Sequence, residues 1–188
     1  MSKKIKVILA PDYDQDKILL ATMNRYNELC NFISRIIFNY DTTRPINLYY
    51  WKVDHNHKNL YYQVRHNFPD INSNMITLAF RMVAKEYTKN KPSEVLTFSG
   101  HVDYSTFMIS LMFILPAPTN IGMISISTLA GRQKMHFIFD DDQRERLKIL
   151  FSIKKYGEYK LFYQEEKFYL SRNVSKSKVK EYYRTHQE

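Results

Sequence analysis

His55 and His57 have the two-residue spacing of a metal-binding H-x-H pair. Two imidazoles in this pattern can bind one metal ion, and together with a tyrosine nucleophile they would form the centre of a single-stranded DNA transposase or relaxase. Such enzymes carry a hydrophobic residue between the histidines, on a strand. Here Asn56 separates them in a polar connector, next to Asp54 and Lys58. The sequence favours a solvated loop over a metal site at this position.

Three consecutive aspartates, residues 140–142, are a second group with possible catalytic chemistry. Adjacent side chains are not expected to converge on one ion, which disfavours a two-metal nuclease site. Acidic residues at a helix start complement the helix dipole, so we expect a capping role. The four glycines are scattered and form no phosphate-binding loop. We therefore predict no catalytic residue, no metal ligand and no cofactor.

Two sets of cations have spacings that suit phosphate binding. Arg132 and Lys134 follow Gly131 at a break between two apolar segments, and residues two apart on a strand share one face of a sheet. The alternative is a solvated hairpin edge that charge protects from aggregation. Residues 77, 81, 85 and 89 (Thr, Arg, Lys, Lys) lie four apart and predict a polar, cationic stripe along a helix, which is either a solvated surface or a phosphate contact.

Hydrophobic periodicity indicates the elements that position these residues. Helices are predicted over residues 14–38, 60–67, 73–89 and 141–152. Strands are predicted over residues 3–9, 95–98, 106–115, 121–127, 133–139, 159–164 and 167–174, the last two joined as a hairpin through Glu165 and Glu166.

The order of elements, one strand, a helical block and then a run of strands, predicts an α+β fold. The first strand is expected at an edge or a barrel seam because lysines alternate along it. We expect a β-barrel made of residues 1–10 and 92–174, with a helical insertion at 11–91 and a tail or linker at 175–188.

Composition favours a polyanion as partner. The chain has 28 Lys and Arg against 19 Asp and Glu, a net charge of +9, and 15 Tyr and 12 Phe among its cations. Cations suit phosphates and aromatic rings suit bases, although an AT-rich genome would supply much of this composition without selection for binding. The single cysteine, Cys30, excludes an intrachain disulfide. No apolar segment is long enough to span a bilayer, so we expect a cytoplasmic protein without a membrane partner.

Several segments in order resemble the N-terminal half of TnpB, the transposon-encoded RNA-guided nuclease that is related to type V CRISPR effectors. They are KVILAP at 6–11, the long helix that follows, LYYQVR at 60–65, the helix at 73–89, SISTLAGRQK at 125–134 and YKLFYQEEKFYL at 159–170. The resemblance covers nearly the whole chain and rests on order and spacing.

The resemblance implies a wedge-like (WED) β-barrel with an inserted helical recognition (REC) block. In that family a RuvC nuclease domain follows, and it begins with a strand carrying D-x-G. No glycine of this chain has an aspartate two residues before it. The resemblance therefore implies a non-catalytic module without the nuclease, either a natural truncation or a fragment, with the possibility of a separately encoded RuvC half.

Guide RNA and a short duplex DNA motif next to the target are the partners that the resemblance implies. By position, Ser73 and Thr77 occupy places where the family has lysine and glutamine. Either Tyr61 or Tyr62 falls where a tyrosine contacts that duplex. The resemblance also implies Ser99, where the family has a threonine, and Arg132 and Lys134, which match a G-R-x-K of the family. Arg81 and Lys85 are nucleic-acid-binding candidates because of their spacing along the helix. Two alternatives remain open: the H-x-H transposase, and a degenerate transposase remnant that folds without binding anything specifically.

Overall fold

The computed structural model of the protein describes residues 3–38, 58–105, 108–113, 120–141, 143–144, 147, 158–174, 177 and 184. Within these residues the fold is mixed α+β, as predicted. The elements are α1 (Tyr13–Phe38), α2 (Lys58–Asn67), α3 (Ser73–Asn90), β1 (Lys3–Ala10), β2 (His101–Ser105), β3 (Ile109–Phe113), β4 (Ile121–Thr128), β5 (Gly131–Ile138), β6 (Glu158–Gln164) and β7 (Lys167–Val174). The helix predicted at 141–152 and the tail at 175–188 lie mostly outside the described residues. None of the described helices is long and apolar enough to cross a membrane.

The chain divides into two compact units. Met1–Leu19 and Tyr104–Glu188 form one, which we name the sheet unit, and Leu20–Asp103 form the other, the helical unit. The sheet unit contains most of the strands and the start of α1. The helical unit contains α2, α3 and the rest of α1. The domain limits predicted at residues 10/11 and 91/92 stay a prediction.

The strands form one antiparallel sheet in the order β2-β6-β7-β1-β5-β4-β3. β1 pairs with β7 on one side and with β5 on the other, which confirms its expected pairing with the second half of the chain. Its predicted place at an edge or seam is wrong, because it is the central strand. The alternating lysines lie on one face of β1, while Ile5, Val7 and Leu9 are buried on the opposite face.

The sheet is open, so the prediction of a closed β-barrel is wrong for the described residues. Edge strands β2 and β3 have only five residues each and do not pair. A flat seven-stranded sheet would hold its edges roughly 29 Å apart, because neighbouring strands are about 4.8 Å apart. The chain from Ser105 to Ile109, however, reaches at most about 14 Å. The sheet is therefore strongly curved, and its two edges approach each other without closing.

The buried face of the sheet packs around Phe137, which is fully buried in β5. Gly122 of β4 lies directly opposite this residue. A Cβ atom at position 122 would come within 2.2 Å of the ring of Phe137. Glycine at this position therefore provides the space that the ring occupies.

Two tight hairpins set the register of the sheet. Thr128 pairs with Gly131, so Leu129 and Ala130 form the turn between β4 and β5, and Gly131 follows it at φ 82°. The break between the two apolar segments is therefore confined to this turn, since Gly131, Arg132 and Lys134 all belong to β5. The predicted hairpin between β6 and β7 is confirmed, with Glu165 and Glu166 at φ 51° and 57°.

The helical unit is organised by the apolar stripe of α1, which is buried as predicted. Its members from Met23 onward have at most 5% of their surface exposed: Met23, Tyr26, Cys30, Ile33 and Ile37. α1 packs against α3, and the hydroxyls of Ser34 and Tyr87 lie 2.8 Å apart in a buried hydrogen bond. Asn72 caps α3 by accepting from the amide of Met75 at 2.9 Å.

The strand predicted at residues 95–98 is absent, and side chains of the helices explain why. The amide of Asn31 donates to the carbonyl of Phe98 at 3.1 Å and accepts from its N–H at 2.6 Å. Ser34 donates to the carbonyl of Leu96 at 2.6 Å, and the Tyr87 hydroxyl accepts from the Leu96 N–H at 3.1 Å. Backbone groups that a sheet would pair are satisfied here by helix side chains.

Candidate nucleic-acid interface

An apolar row crosses five strands on the face of the sheet opposite Phe137, which we name the outer sheet face. Cross-strand partners place its members side by side, and the row is about 19 Å long because each strand adds about 4.8 Å. In order from β6 to β4 they are Phe162, Tyr169, Ile8, Ile138 and Ile121. Ile121 and Ile138 keep 40% and 46% of their surface exposed. Rows of this kind are normally covered or used for binding.

Cations flank the apolar row along both sides. On one side Lys6 and Lys160 lie in a cross-strand row through Ser171, and Lys4 lies one step further along β1. On the other side lie Lys167 of β7 and, along β5, Lys134 and Arg132. These three side chains are exposed. Acidic side chains on the described part of this face lie at its margins, with Glu158 at the start of β6 and Asp12 before α1.

Aromatic rings hold two of these lysines. The Nζ atom of Lys6 lies 3.6 Å from the ring centroid of Tyr169 and 5.2 Å from that of Phe162. Lys4 Nζ lies 5.3 Å from the Phe162 centroid. The two rings are themselves stacked, 5.3 Å apart with 17° between their planes. Such cation–π contacts fix ammonium groups at a surface while leaving their charge available.

Arg132 and Lys134 lie where the sequence predicts them, exposed on one face of β5. They pair with Ser127 and Ser125 of β4. The carbonyl of Lys134 accepts from Gln15 at 2.8 Å, which ties the start of α1 to β5. These two are the predicted site residues that belong to the outer sheet face.

Sequence reasoning missed the other residues of this face, namely Lys4, Lys6, Lys160, Phe162 and Tyr169. The signal was present as period-two alternation of lysines and rings in residues 3–9 and 159–170. The alternation predicts an edge or seam strand at residues 3–9 and a hairpin at residues 159–170. The central position of β1, which brings these residues together, depends on long-range pairing that the sequence does not display.

The predicted stripe on α3 is exposed along one side of the helix, as expected. Arg81 and Lys85 are exposed, and one helical turn separates each pair of neighbours by about 6 Å along the axis. Ser73 is exposed and Thr77 is half-buried. Thr77 donates its hydroxyl to the Ser73 carbonyl at 3.0 Å, so its oxygen remains available only as an acceptor.

The tyrosine pair on α2 presents one accessible ring. Tyr62 has 65% of its surface exposed, and its ring meets that of Tyr61 edge-on at 6.0 Å. Ser99 is exposed directly after Phe98. These three residues and the four on α3 all belong to the helical unit, whereas Arg132 and Lys134 belong to the sheet unit.

One strong cation of the helical unit is engaged internally. Arg25 binds Asp70 at 3.0 Å and Glu28 at 2.9 Å, and it donates to the Asn67 carbonyl at 2.9 Å. Its guanidinium also lies 4.3 Å from the ring centroid of Phe68. The hydrogen bond from Arg25 lowers the pKa of Asp70, against a smaller opposing effect of burial. Arg25 therefore ties α1 to the segment between α2 and α3.

Cys30 and Asp140 are two described residues whose side chains could in principle do chemistry. Burial raises the pKa of the Cys30 thiol well above its usual value, so the thiol stays protonated and is a poor nucleophile. Asp140 accepts from the Gln143 amide at 2.7 Å, as a capping residue does. The described residues contain no group of three or more His, Cys, Asp or Glu that could hold a metal ion. His55 and His57 lie outside the described residues.

Comparison with known proteins gives no family assignment. Neither the protein-family models nor the curated protein sequences contain a match to this chain.

Proposed function

We propose that this chain is a non-catalytic nucleic-acid-binding module of a TnpB-like RNA-guided DNA endonuclease. The observation that carries the proposal is the outer sheet face, where an apolar row with two aromatic rings runs between cations on both sides. This arrangement suits a single-stranded segment of RNA, whose bases meet the half-buried ring of Phe162 and the exposed Ile121 and Ile138 while its phosphates meet the flanking cations. Tyr169 is buried and stacks against Phe162.

The sheet unit and the helical unit correspond in this proposal to WED-like and REC-like parts. The strongly curved sheet with β1 at its centre supports the first, since β1 and the later strands form one sheet although the helices separate them in sequence. The α3 stripe supports the second. Its cations would meet the phosphates of a short DNA duplex, and Ser73, Thr77, Ser99 and Tyr61 or Tyr62 would meet its bases and sugars.

The partners in this proposal are a guide RNA scaffold and a target-adjacent DNA duplex. A nuclease half of the RuvC type would act with this chain. The chain's own part is binding, without a cofactor.

The decisive test is a titration of the purified protein with a structured RNA that has single-stranded segments, at several salt concentrations. We expect the Lys6→Gln variant to bind more weakly and to lower the salt slope by roughly 0.7, the value for one phosphate contact on a single strand. Lys17→Gln is the matched control, because Lys17 also lies over a ring, 4.0 Å from the centroid of Tyr13, but on α1. Equal behaviour of the two variants would refute an interface on the outer sheet face.

Base reading by the helical unit has its own test. Thr77 retains only acceptor capacity, so it would recognise an amino group on a base edge. We expect the Thr77→Val variant, which keeps the side-chain shape, to lose preference within a panel of short duplexes while keeping its salt slope. Thr88→Val is the control, since Thr88 also donates to the carbonyl four residues before it, at 2.8 Å, outside the predicted stripe.

A further inference from the structure

A cavity of about 270 Å³ opens in the sheet unit between the start of α1 and the end of β1. Its walls are formed by the side chains and backbone of Ala10, Asp12, Gln15, Met123, Lys134 and His136. The cavity is smaller than the pockets of drug-sized ligands, which begin near 300 Å³. Its size therefore suits one small flat ring system.

The cavity adjoins the apolar row of the outer sheet face. Ala10, His136 and Met123 are cross-strand partners on β1, β5 and β4. Each lies two residues along its strand from Ile8, Ile138 or Ile121, so it points to the same face. A strand of nucleic acid lying along the apolar row would thus pass the mouth of the cavity.

Three hydrogen bonds hold the polar wall of the cavity. The Oδ1 atom of Asp12 accepts from the Gln15 amide at 2.9 Å, and Gln15 Oε1 accepts from the Asp12 amide at 3.2 Å. Gln15 Nε2 donates to the Lys134 carbonyl at 2.8 Å. These bonds cap α1 reciprocally and fix both side chains, so the helix amides are not the binding groups. Asp12 lines the cavity, and its second carboxylate oxygen keeps the capacity to accept a hydrogen bond.

The charges of the wall determine whether the phosphate or the base of a nucleotide fits in the cavity. The wall carries the carboxylate of Asp12 and the cationic side chain of Lys134. A phosphate is disfavoured beside Asp12, whereas Lys134 can meet the phosphate of a strand at the mouth, because it is one of the cations that flank the apolar row. The thioether of Met123 and the imidazole of His136 offer surface to a flat ring. A carboxylate oxygen accepts from an exocyclic amino group and meets a carbonyl unfavourably.

We infer that this cavity binds one unstacked nucleobase that carries an exocyclic amino group, with Asp12 as the acceptor of that group. The inference rests on the proposed function, because the strand that delivers the base lies along the outer sheet face. Cytosine and uracil provide the sharpest comparison, since they have the same ring size and differ in the amino group or carbonyl at C4.

The experiment compares binding of oligo(rC) and oligo(rU) of equal length to the full chain at one salt concentration. We expect at least about a fivefold preference for oligo(rC), the low end of what one good base contact gives. Asp12→Asn preserves the helix cap but can turn an amide donor to the base, so the preference should vanish or reverse. Asp14→Asn is the control, with the same charge change on an exposed carboxylate.

A second variant, Ala10→Leu, fills the cavity without changing charge, and we expect it to remove the preference while leaving salt-dependent binding in place. Circular dichroism of each variant verifies that it is folded. Equal binding of both oligonucleotides by the wild type, or the same loss of preference in Asp12→Asn and Asp14→Asn, would overturn the base site alone. Failure of the wild type to bind either oligonucleotide at low salt would overturn the proposed function as well.

Discussion

The outer sheet face and the α3 stripe both present cations, but they hold them differently. On the sheet, Lys6 lies against the rings of Tyr169 and Phe162, and neighbouring cations come from separate strands. On α3, Arg81 and Lys85 are exposed one turn apart on a single helix. The sheet cations accompany an apolar row that is 19 Å long by strand spacing, whereas the helix cations accompany the hydroxyls of the same stripe.

Under the proposed function, this difference favours a different ligand for each surface. Cations beside the half-buried ring of Phe162 and the exposed Ile121 and Ile138 suit unstacked bases, because a base then gains apolar contact while its phosphate gains charge contacts. A row of cations one helical turn apart suits the regular backbone of a duplex, where bases are stacked inside and only their edges are accessible. Cations that are positioned before binding also lose less side-chain entropy when the complex forms.

The largest expected effect comes from removing the cations of the outer sheet face, which tests whether this face and the α3 stripe differ. We expect Lys4→Gln, Lys6→Gln, Arg132→Gln and Lys134→Gln together to lower the salt slope for single-stranded RNA by about 3, since each single-strand contact contributes about 0.7. Affinity near 0.1 M salt should then fall on the order of 10²–10³-fold. Fluorescence anisotropy across a salt series measures both quantities.

The reciprocal variant on α3 is the control for this experiment. Arg81→Gln, Lys85→Gln and Lys89→Gln together should lower the slope for duplex DNA by roughly 2–3, at about 0.9 for each contact, and leave the RNA slope nearly unchanged. If both variants weaken both ligands equally, the cations act only through net charge, and the two surfaces have no separate roles.

A smaller effect tests the aromatic part of the comparison. Phe162→Leu keeps an apolar side chain on the outer sheet face but removes the ring, and we expect it to cost about 1–3 kcal/mol of RNA binding, as loss of one stacked base does. Tyr62→Leu removes the exposed ring of α2 and should leave RNA binding nearly intact. Isothermal titration calorimetry of both variants with the same RNA measures the two losses of affinity. A larger loss of affinity in Tyr62→Leu would place the RNA on the helical unit instead.

Local patterns in the sequence predicted most of the elements. The apolar stripes of α1 and α3 recur every three or four residues, and the alternation in β4 to β7 is clear, so these elements were found within a few residues of their ends. Residues 95–98 also alternate, but Asn31, Ser34 and Tyr87 satisfy their backbone groups. A sequence pattern cannot reveal which distant side chain will take the place of a strand.

The candidate binding residues were predictable from the sequence only where they all lie on one helix or strand. The stripe on α3 follows from spacing along a single helix. The outer sheet face depends on the order of strands, which places Lys6 beside β7 and Phe162 one strand further. Strand order is set by burial of the opposite face and by pairing between residues more than a hundred positions apart, so it is not readable from local periodicity.

Replacing the two glutamates in the β6–β7 turn should stabilise the protein and make the outer sheet face more positively charged relative to the α3 stripe. Glu165 and Glu166 both have positive φ, which costs non-glycine residues energy. We expect Glu165→Asn with Glu166→Gly to stabilise the protein by about 1 kcal/mol, because Asn-Gly is preferred in this turn, and to raise Tm by roughly 2–4 °C. Losing two negative charges near the outer sheet face should also strengthen RNA binding modestly. Calorimetry and anisotropy are the measurements, and a lower Tm would contradict the turn geometry.

The smallest expected effect concerns Arg25, the cation that the helical unit commits to structure instead of to a ligand. Its hydrogen bond lowers the pKa of Asp70, so the ion pair stabilises the fold above the unfolded-state pKa near 3.9 and loses that effect as pH falls through the lower, folded-state pKa. Both side chains are partly exposed, and Asp70→Asn should therefore cost only about 0.2–1 kcal/mol of unfolding free energy at pH 7.

Urea unfolding at pH 7 and pH 3 measures this cost, which should shrink at the lower pH. Asp14→Asn serves as a carboxylate control outside this ion pair. A cost for Asp70→Asn that is the same at both pH values would show that Asp70 acts through packing or its neutral hydrogen bonds. Arg25 would then stabilise the fold mainly through its contacts with Glu28, the Asn67 carbonyl and the ring of Phe68.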